Sequence, residues 1–235
     1  MNDFPFVGDQ RQEAIAAEQA RFMTKVFGWM AFALAITGAV AYVVAGSPQL
    51  LQFVFGNRFI FFGLIIGELL LVGYLSAAVM RMSANTATLV FLLYAVLNGL
   101  TLSFVFLIYT STSIAGTFLI TAGTFAAMSA YGYFTKNDLT KAGSLLFMAL
   151  IGLVIASIVN IFLRSPMMYW IITYAGILIF VGLTAYDTQK IKSMNIIGNE
   201  GTEEDHKEAI MGALTLYLDF INLFLYLLRL FGNRK

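Results

Sequence analysis

Residues 214–232 read LTLYLDFINLFLYLLRLFG, long and apolar enough to cross a bilayer, yet with Asp219 near one end and Arg229 near the other. A charge held in hydrocarbon costs about 2.5–3.5 kcal/mol on insertion scales, so each needs a reason to be there. Thr215, Asp219, Asn222, Tyr226 and Arg229 follow one another at intervals of four, three, four and three. That spacing traces one face of an α-helix. Nearly all the intervening residues are Leu, Ile or Phe. The segment is therefore predicted to be a helix with a single polar stripe, enclosed by other helices. At 1.5 Å per residue, Asp219 and Arg229 stand about 15 Å apart and cannot neutralise one another. Each requires a partner from another span.

The rest of the chain supplies those spans. Of 235 residues, 60% are hydrophobic and only 11% charged; the mean hydropathy is +0.82. Soluble domains carry about 25% charged residues, so this is an all-α membrane protein. Spans of about 20 apolar residues are expected near 26–45, 59–80, 88–108, 114–134, 145–163, 168–187 and 210–231. Gly46-Ser47-Pro48, Arg81–Thr86, Tyr109–Ser113, Lys136–Lys141 and Arg164-Ser165-Pro166 break them. A charged loop, 188–209, holds Gly198 and Gly201. The chain thus divides into a solvated N-terminal tail, 1–25, and one seven-helix domain, 26–235. Asp3, Asp9, Glu13 and Glu18 make the tail unlike a signal peptide or a mitochondrial presequence. With no Cys, thiolate chemistry and disulfides are excluded. Neither a basic run nor a nucleotide loop points to nucleic acid or ATP.

Orientation follows Lys and Arg in short loops. With the N-terminus cytoplasmic, Arg11, Arg21, Lys25, Arg81, Lys136, Lys141, Lys190, Lys192 and Lys207 lie inside, nine against five. Seven spans then leave the C-terminus outside. The fourth span is rich in small residues (Thr121, Ala122, Gly123, Ala126, Ala127, Ser129, Ala130), as is one face of the fifth (Gly152, Ala156, Ser157, Asn160). Both read as helix-packing faces. His206, among charged neighbours, reads as a solvated loop residue.

Five charged residues fall in or at the ends of spans: Glu68, Arg81, Asp187, Asp219 and Arg229. Asp187, Asp219 and Arg81 share the cytoplasmic half and are expected to cluster. Glu68 is the available partner for Arg229 on the outer half. Two neighbouring carboxylates in a low-dielectric site resist double ionisation and share a proton. Deprotonated, the same oxygens suit a hard cation such as calcium. An arginine competing with the proton would make a pH switch. An intramembrane aspartyl protease also uses two Asp, but its Gly-x-Gly-Asp opening is replaced here by Tyr217-Leu218-Asp219. The expectation is a protein that is not an enzyme.

At TAYDTQKI (184–191) and LTLYLDFINLFLYLLRLFG the chain resembles the Bax inhibitor-1 family, especially its bacterial members. The resemblance covers roughly residues 20–233. It implies a central seventh helix surrounded by six others, in the plasma (inner) membrane. It also implies a pH-sensitive calcium-permeable channel or leak, with protons as regulator and calcium as the permeant ion. Asp187 and Asp219 would form the sensing pair and transient calcium contact, Arg81 the latch of the closed state, and Glu68–Arg229 a second ion pair. Some bacterial relatives restrain a membrane-bound ATP-dependent protease. A proton-coupled cation exchanger and a non-conducting regulator are the rival readings.

Overall fold

In the computed structural model the backbone is described from residue 5 and the side chains from Arg11 onward. The described chain folds as helices α1 (Pro5–Ala45), α2 (Pro48–Phe55), α3 (Arg58–Ala78), α4 (Ala84–Leu102), α5 (Phe104–Ile108), α6 (Ser111–Phe134), α7 (Thr140–Leu163), α8 (Pro166–Met194) and α9 (Glu203–Phe231). A 3₁₀ turn, Val79–Arg81, follows α3. Seven helical segments are long and apolar enough to cross a membrane, with α4 and α5 together making the third.

Side-chain oxygens set several helix starts. Ser47, Asn57, Ser83, Thr110, Ser165 and Thr202 each accept a backbone N–H from the first turn that follows. These polar residues satisfy donors that the helix itself leaves free. Pro48 and Pro166 occupy first-turn positions, where no N–H is needed. The break between α4 and α5 falls at Ser103, fully buried, whose hydroxyl donates to the Leu100 carbonyl at 2.7 Å.

Three helices run beyond the expected apolar spans at the same end of the bundle. α1 begins well before residue 26, α8 continues to Met194, and α9 begins at Glu203. The expected tail is therefore helical from Pro5; its first four residues lie outside the described residues. Hydropathy marks where lipid begins, whereas helix-forming EAIAAEQA and the polar caps carry the helices further. Phe22, Met23 and Val26 are already buried. The expected long loop shrinks to 195–202, where Gly198 and Gly201 take positive φ of 93° and 82°. Most other residue types would be strained there.

This loop is strapped to α1. Arg21 donates two 2.8 Å hydrogen bonds to the carboxylate of Glu200, and Gly198 N donates to Glu18 Oε1 at 2.7 Å. Asp205, buried, accepts from Lys25 Nζ at 2.7 Å and from Gly201 N at 2.9 Å. The Arg21 guanidinium holds the Glu200 carboxyl below the usual carboxylate range. His206, expected in solvent, is half-buried. Its ring is edge-on to Trp29 at 5.5 Å, and Nε2 lies 3.0 Å from Thr88 Oγ1. Its position at the fourth residue of α9 turns it inward despite charged neighbours. At the opposite end the C-terminal residues clip onto the α5–α6 connection, through Thr110 N to Asn233 O (3.1 Å) and Lys235 N to Ile108 O (2.8 Å).

α9 packs against α1, α4, α6 and α8, while α3 lies mainly on α4, and α7 on α8. Of the α9 span 61% is buried, against 6% for those of α3 and α7. Four spans thus line α9 along its length, and the second touches it through the 3₁₀ turn after α3, where six were expected around it. The closest helix approaches are not where small residues are densest. A Cβ at Gly99 would sit 2.8 Å from the Thr37 carbonyl oxygen of α1, and one at Gly132 would run into the Ala185 backbone of α8. Gly123 and Gly152, by contrast, have nothing within 4 Å to contact. Small residues permit close packing but also occur on lipid-facing surfaces, so composition alone marks no seam.

Candidate functional site

The polar stripe of α9 faces α8. Asp219 is 5% exposed, and one of its oxygens, Oδ2, has no hydrogen-bond partner among the described protein groups. Asp187, half-buried on α8, lies within hydrogen-bonding reach of the Asp219 carboxyl. The 29-residue α8 and α9 hairpin brings the two together because each helix enters the loop with its carboxylate about two to four turns away. An unpartnered buried oxygen beside a second carboxyl calls for a proton or a cation.

A cavity of about 460 Å³ reaches Asp187 from the end of the bundle that carries the 195–202 loop. Its lining includes Ser76 of α3, Phe147 of α7, Asp187 and Lys190 of α8, and Glu208 and Thr215 of α9. Glu208 extends the α9 stripe by two further turns toward the mouth: 208, 215, 219 and 222 share one helical face. It is 8% exposed, and Asn199 Nδ2 donates to it at 3.3 Å. Glu208 falls in the expected 188–209 loop, so hydropathy alone does not show it as part of the stripe.

On the mouth side of Asp219, Thr215 Oγ1 donates to Met211 O (3.1 Å). Beyond Asp219 the stripe is filled. Asn222 Nδ2 donates to Leu218 O (2.8 Å). Tyr226 stacks on Phe180, with ring centroids 5.9 Å apart. Its ring lies against Gly176, where a Cβ would come within 2.7 Å. The cavity lining extends along the stripe as far as Asp187 and Thr215, and packed side chains occupy the other half.

Two expected ion pairs are absent among the described residues. Arg81 is exposed, in the 3₁₀ turn that leaves α3, and bonds neither carboxylate. The cation acting on Asp187 is Lys190, one helical turn along α8 and therefore on the same face. Glu68 accepts a 2.9 Å hydrogen bond from Thr101 Oγ1, across the α3–α4 seam. Arg229 is exposed, with its guanidinium carbon 5.7 Å from the Tyr169 ring centroid and 5.2 Å from that of Tyr226. The two cannot meet because they lie on different sides of α9. Depth along the bundle is legible from sequence, but azimuth around it is not.

The side of α9 that faces α1 and α4 carries its own polar contact. Tyr217, fully buried, shares a 2.7 Å hydrogen bond with Thr37 Oγ1, which donates to the Ala95 carbonyl at 2.9 Å. The Tyr94 and Phe91 rings meet Tyr217 edge-on at 5.9 and 6.0 Å. Tyr217 thereby fixes the rotation of α9 and the direction in which Asp219 points.

The family model described as inhibitor of apoptosis-promoting Bax1 matches residues 19–235. The inner membrane protein YbhL of Escherichia coli is 51% identical over 239 residues, covering all of both chains. An uncharacterized protein of Borreliella burgdorferi is 48% identical over 215 residues, 92% of this chain and 93% of its own. The uncharacterized protein RP147 of Rickettsia prowazekii is 48% identical over 218 residues, 92% of this chain and 90% of its own.

Proposed function

The chain belongs to the Bax inhibitor-1 family, and from that premise we propose that it is a proton-gated cation leak, with calcium as its principal permeant ion and Asp187–Asp219 as its gate. It is an integral membrane protein. We assign it to the inner membrane, as the name of the Escherichia coli relative states for that protein, with the N-terminus cytoplasmic and the C-terminus outside.

The observation that carries the reading is Asp219 Oδ2, buried and unpartnered, beside Asp187, which lines the cavity. With one shared proton the pair is held together and the path ends there. Loss of that proton leaves two like charges in contact, which repel, and Lys190 offsets only part of that repulsion. The pair then separates, and its oxygens are free to meet a cation arriving through the Glu208 mouth. Passage further along the stripe requires Tyr226 to leave its seat between Gly176 and Phe180. Arg81 is not engaged in this arrangement, although its turn packs on α9.

The test is calcium entry into liposomes containing the purified chain, across a pH series. The wild type should carry a pH-dependent flux. Asp219→Asn and Asp187→Asn, which cannot reach the doubly charged state, should lose that dependence. Unaltered flux and pH response in both would defeat the gate. A pH gradient that drives calcium uphill would identify an exchanger in place of a leak. The exposed apolar faces of α3 and α7 also leave room for a membrane-bound ATP-dependent protease. No cation flux at any pH, together with capture of such a protease, would favour a non-conducting regulator.

A further inference from the structure

α1 and α6 both flank α9, and α6 packs on α8 as well, but α1 and α6 do not close on one another. Between them lies a crevice of about 610 Å³, open sideways toward the bilayer. Its walls are Met23 and Phe27 of α1 and Phe125 and Ala126 of α6, with Phe220 of α9 at its base. Phe220 is firmly seated, 5.4 Å from both the Phe118 and Phe125 ring centroids. An apolar recess open to hydrocarbon does not stay empty, because its lining would forfeit dispersion contacts on one side.

Two polar groups select what enters. Ser129, 5% exposed, lines the crevice, and its hydroxyl has no hydrogen-bond partner. This is unusual within the bundle. Thr121 and Thr124 of the same helix, and Ser157 of α7, all donate to the carbonyl four residues earlier. That local bond is the ordinary resort of a helical hydroxyl in lipid. The second group is Lys192. Its Nζ donates to the Tyr133 carbonyl at 3.0 Å and lies 4.3 Å from that residue's ring centroid. Tyr133 also lines the crevice. Lys192 has no carboxylate partner among the described residues, whereas Arg21 and Lys25 nearby are each paired with an acid. Four residues of α6 separate Tyr133 from Ser129, one helical turn or about 6 Å of depth. A cation at the rim and a free hydroxyl one turn deeper, above an aromatic trough, match three successive parts of one molecule.

We propose that the α1–α6 crevice binds one glycerophospholipid from the leaflet on the side of the 195–202 loop. Its phosphate accepts from Lys192 Nζ, a glycerol ester carbonyl accepts from Ser129 Oγ, and one acyl chain lies along Phe27, Phe125 and Phe220. Because Phe220 adjoins Asp219 in the chain, an occupied crevice holds α9 in register against α6 and biases the carboxylate pair through α9.

The experiment uses the full chain in nanodiscs containing a phosphatidylglycerol with a diazirine in its acyl chain. Photolysis is followed by peptide mapping. Labelling should concentrate in residues 20–30 and 122–134. Lys192→Gln should reduce it about fivefold, the value of one basic residue near an anionic headgroup. Diazirine-bearing diacylglycerol, which lacks the phosphate, should label wild type and Lys192→Gln alike. Ala126→Phe, which fills the trough, should abolish labelling there, with an unchanged melting profile as the control for folding. Ser129→Ala is a milder second variant and should weaken labelling without closing the trough. Equal labelling of these peptides in wild type, Lys192→Gln and Ser129→Ala would overturn the proposal, as would crosslinks to a second copy of the chain.

Discussion

Replacing Thr37 by Val removes one hydroxyl with two bonds and strands another. In the native bundle Thr37 Oγ1 donates to the Ala95 carbonyl at 2.9 Å and pairs with Tyr217 Oη at 2.7 Å. Tyr217 is 0% exposed, so no water replaces the lost partner. An orphaned buried hydroxyl costs about 1–3 kcal/mol, against about 1 kcal/mol for a bond lost cleanly. Thr37→Val should therefore destabilise by about 2–3 kcal/mol. Tyr217→Phe should cost only about 1 kcal/mol, because Thr37 keeps the Ala95 carbonyl. The double variant has no orphaned tyrosine hydroxyl, so the second substitution should recover part of the loss caused by the first. Interhelical hydrogen bonds in bilayers average about 0.6 kcal/mol and reach about 1.7. The coupling energy should fall in that range. Equilibrium unfolding of the four proteins in mixed detergent micelles measures it. A strictly additive cycle, or Thr37→Val costing no more than Tyr217→Phe, would refute the seating of α9 against α1.

Gly132→Val drives a side chain into the Ala185 backbone, whose carbonyl carbon is 2.9 Å from an added Cβ; it should cost at least about 1–3 kcal/mol in the same unfolding assay. Gly123→Val, on the same helix and facing open space, should stay within about 0.5 kcal/mol. Arg229→Gln should lose about 0.5–1 kcal/mol of cation–π stabilisation, and its effect should add to that of Glu68→Gln in a double-mutant cycle, whereas a real ion pair would couple them. Glu200, held below the usual carboxylate range by Arg21, titrates lower folded than unfolded. The strap is thus present above the ordinary carboxylate range and lost as pH falls through the lowered folded value. Hydrogen exchange of residues 195–202 should rise only in acid, once the pH has fallen below the ordinary carboxylate range. Arg21→Gln should raise it already at neutral pH; exchange unchanged by that substitution would remove the strap.

The seven spans and the Asp187–Asp219 pairing were readable from the chain because both depend on one-dimensional facts. Apolar length marks a span, and a 4-3-4-3 spacing marks a face. The hairpin between α8 and α9 then puts both carboxylates in the seam of two neighbouring helices, although Asp219 stands farther from the loop along its helix than Asp187 does. Glu68 and Arg229 failed as a pair because their shared depth does not specify rotation around α9. That rotation is fixed by Tyr217 against Thr37, a contact that no sequence spacing reveals. Arg81 failed as the neighbour of the pair for a related reason. The 3₁₀ turn after Ala78 carries its side chain outward, while Lys190, within the expected 188–209 loop, stays on α8 one turn from Asp187. Helix ends drawn at the limit of hydropathy also hid Glu208, the buried acid at the cavity mouth, and the inward turn of His206. A break in apolar character is not a break in helix when Ala, Glu and Gln continue the chain and a threonine caps it.

The central claim is that Asp187 and Asp219 hold one proton between them. Infrared spectroscopy of the protein in lipid, titrated through neutral pH, reads this directly through the carbonyl stretch of a protonated carboxyl group. In the wild type such a band near neutrality should weaken on alkalisation, together with the onset of cation flux, and the band should titrate differently in Asp187→Asn and in Asp219→Asn, each of which keeps only one of the two carboxyls. Two fully ionised carboxylates throughout the range in which calcium flux is low would contradict the shared proton, as would a band whose titration neither substitution alters.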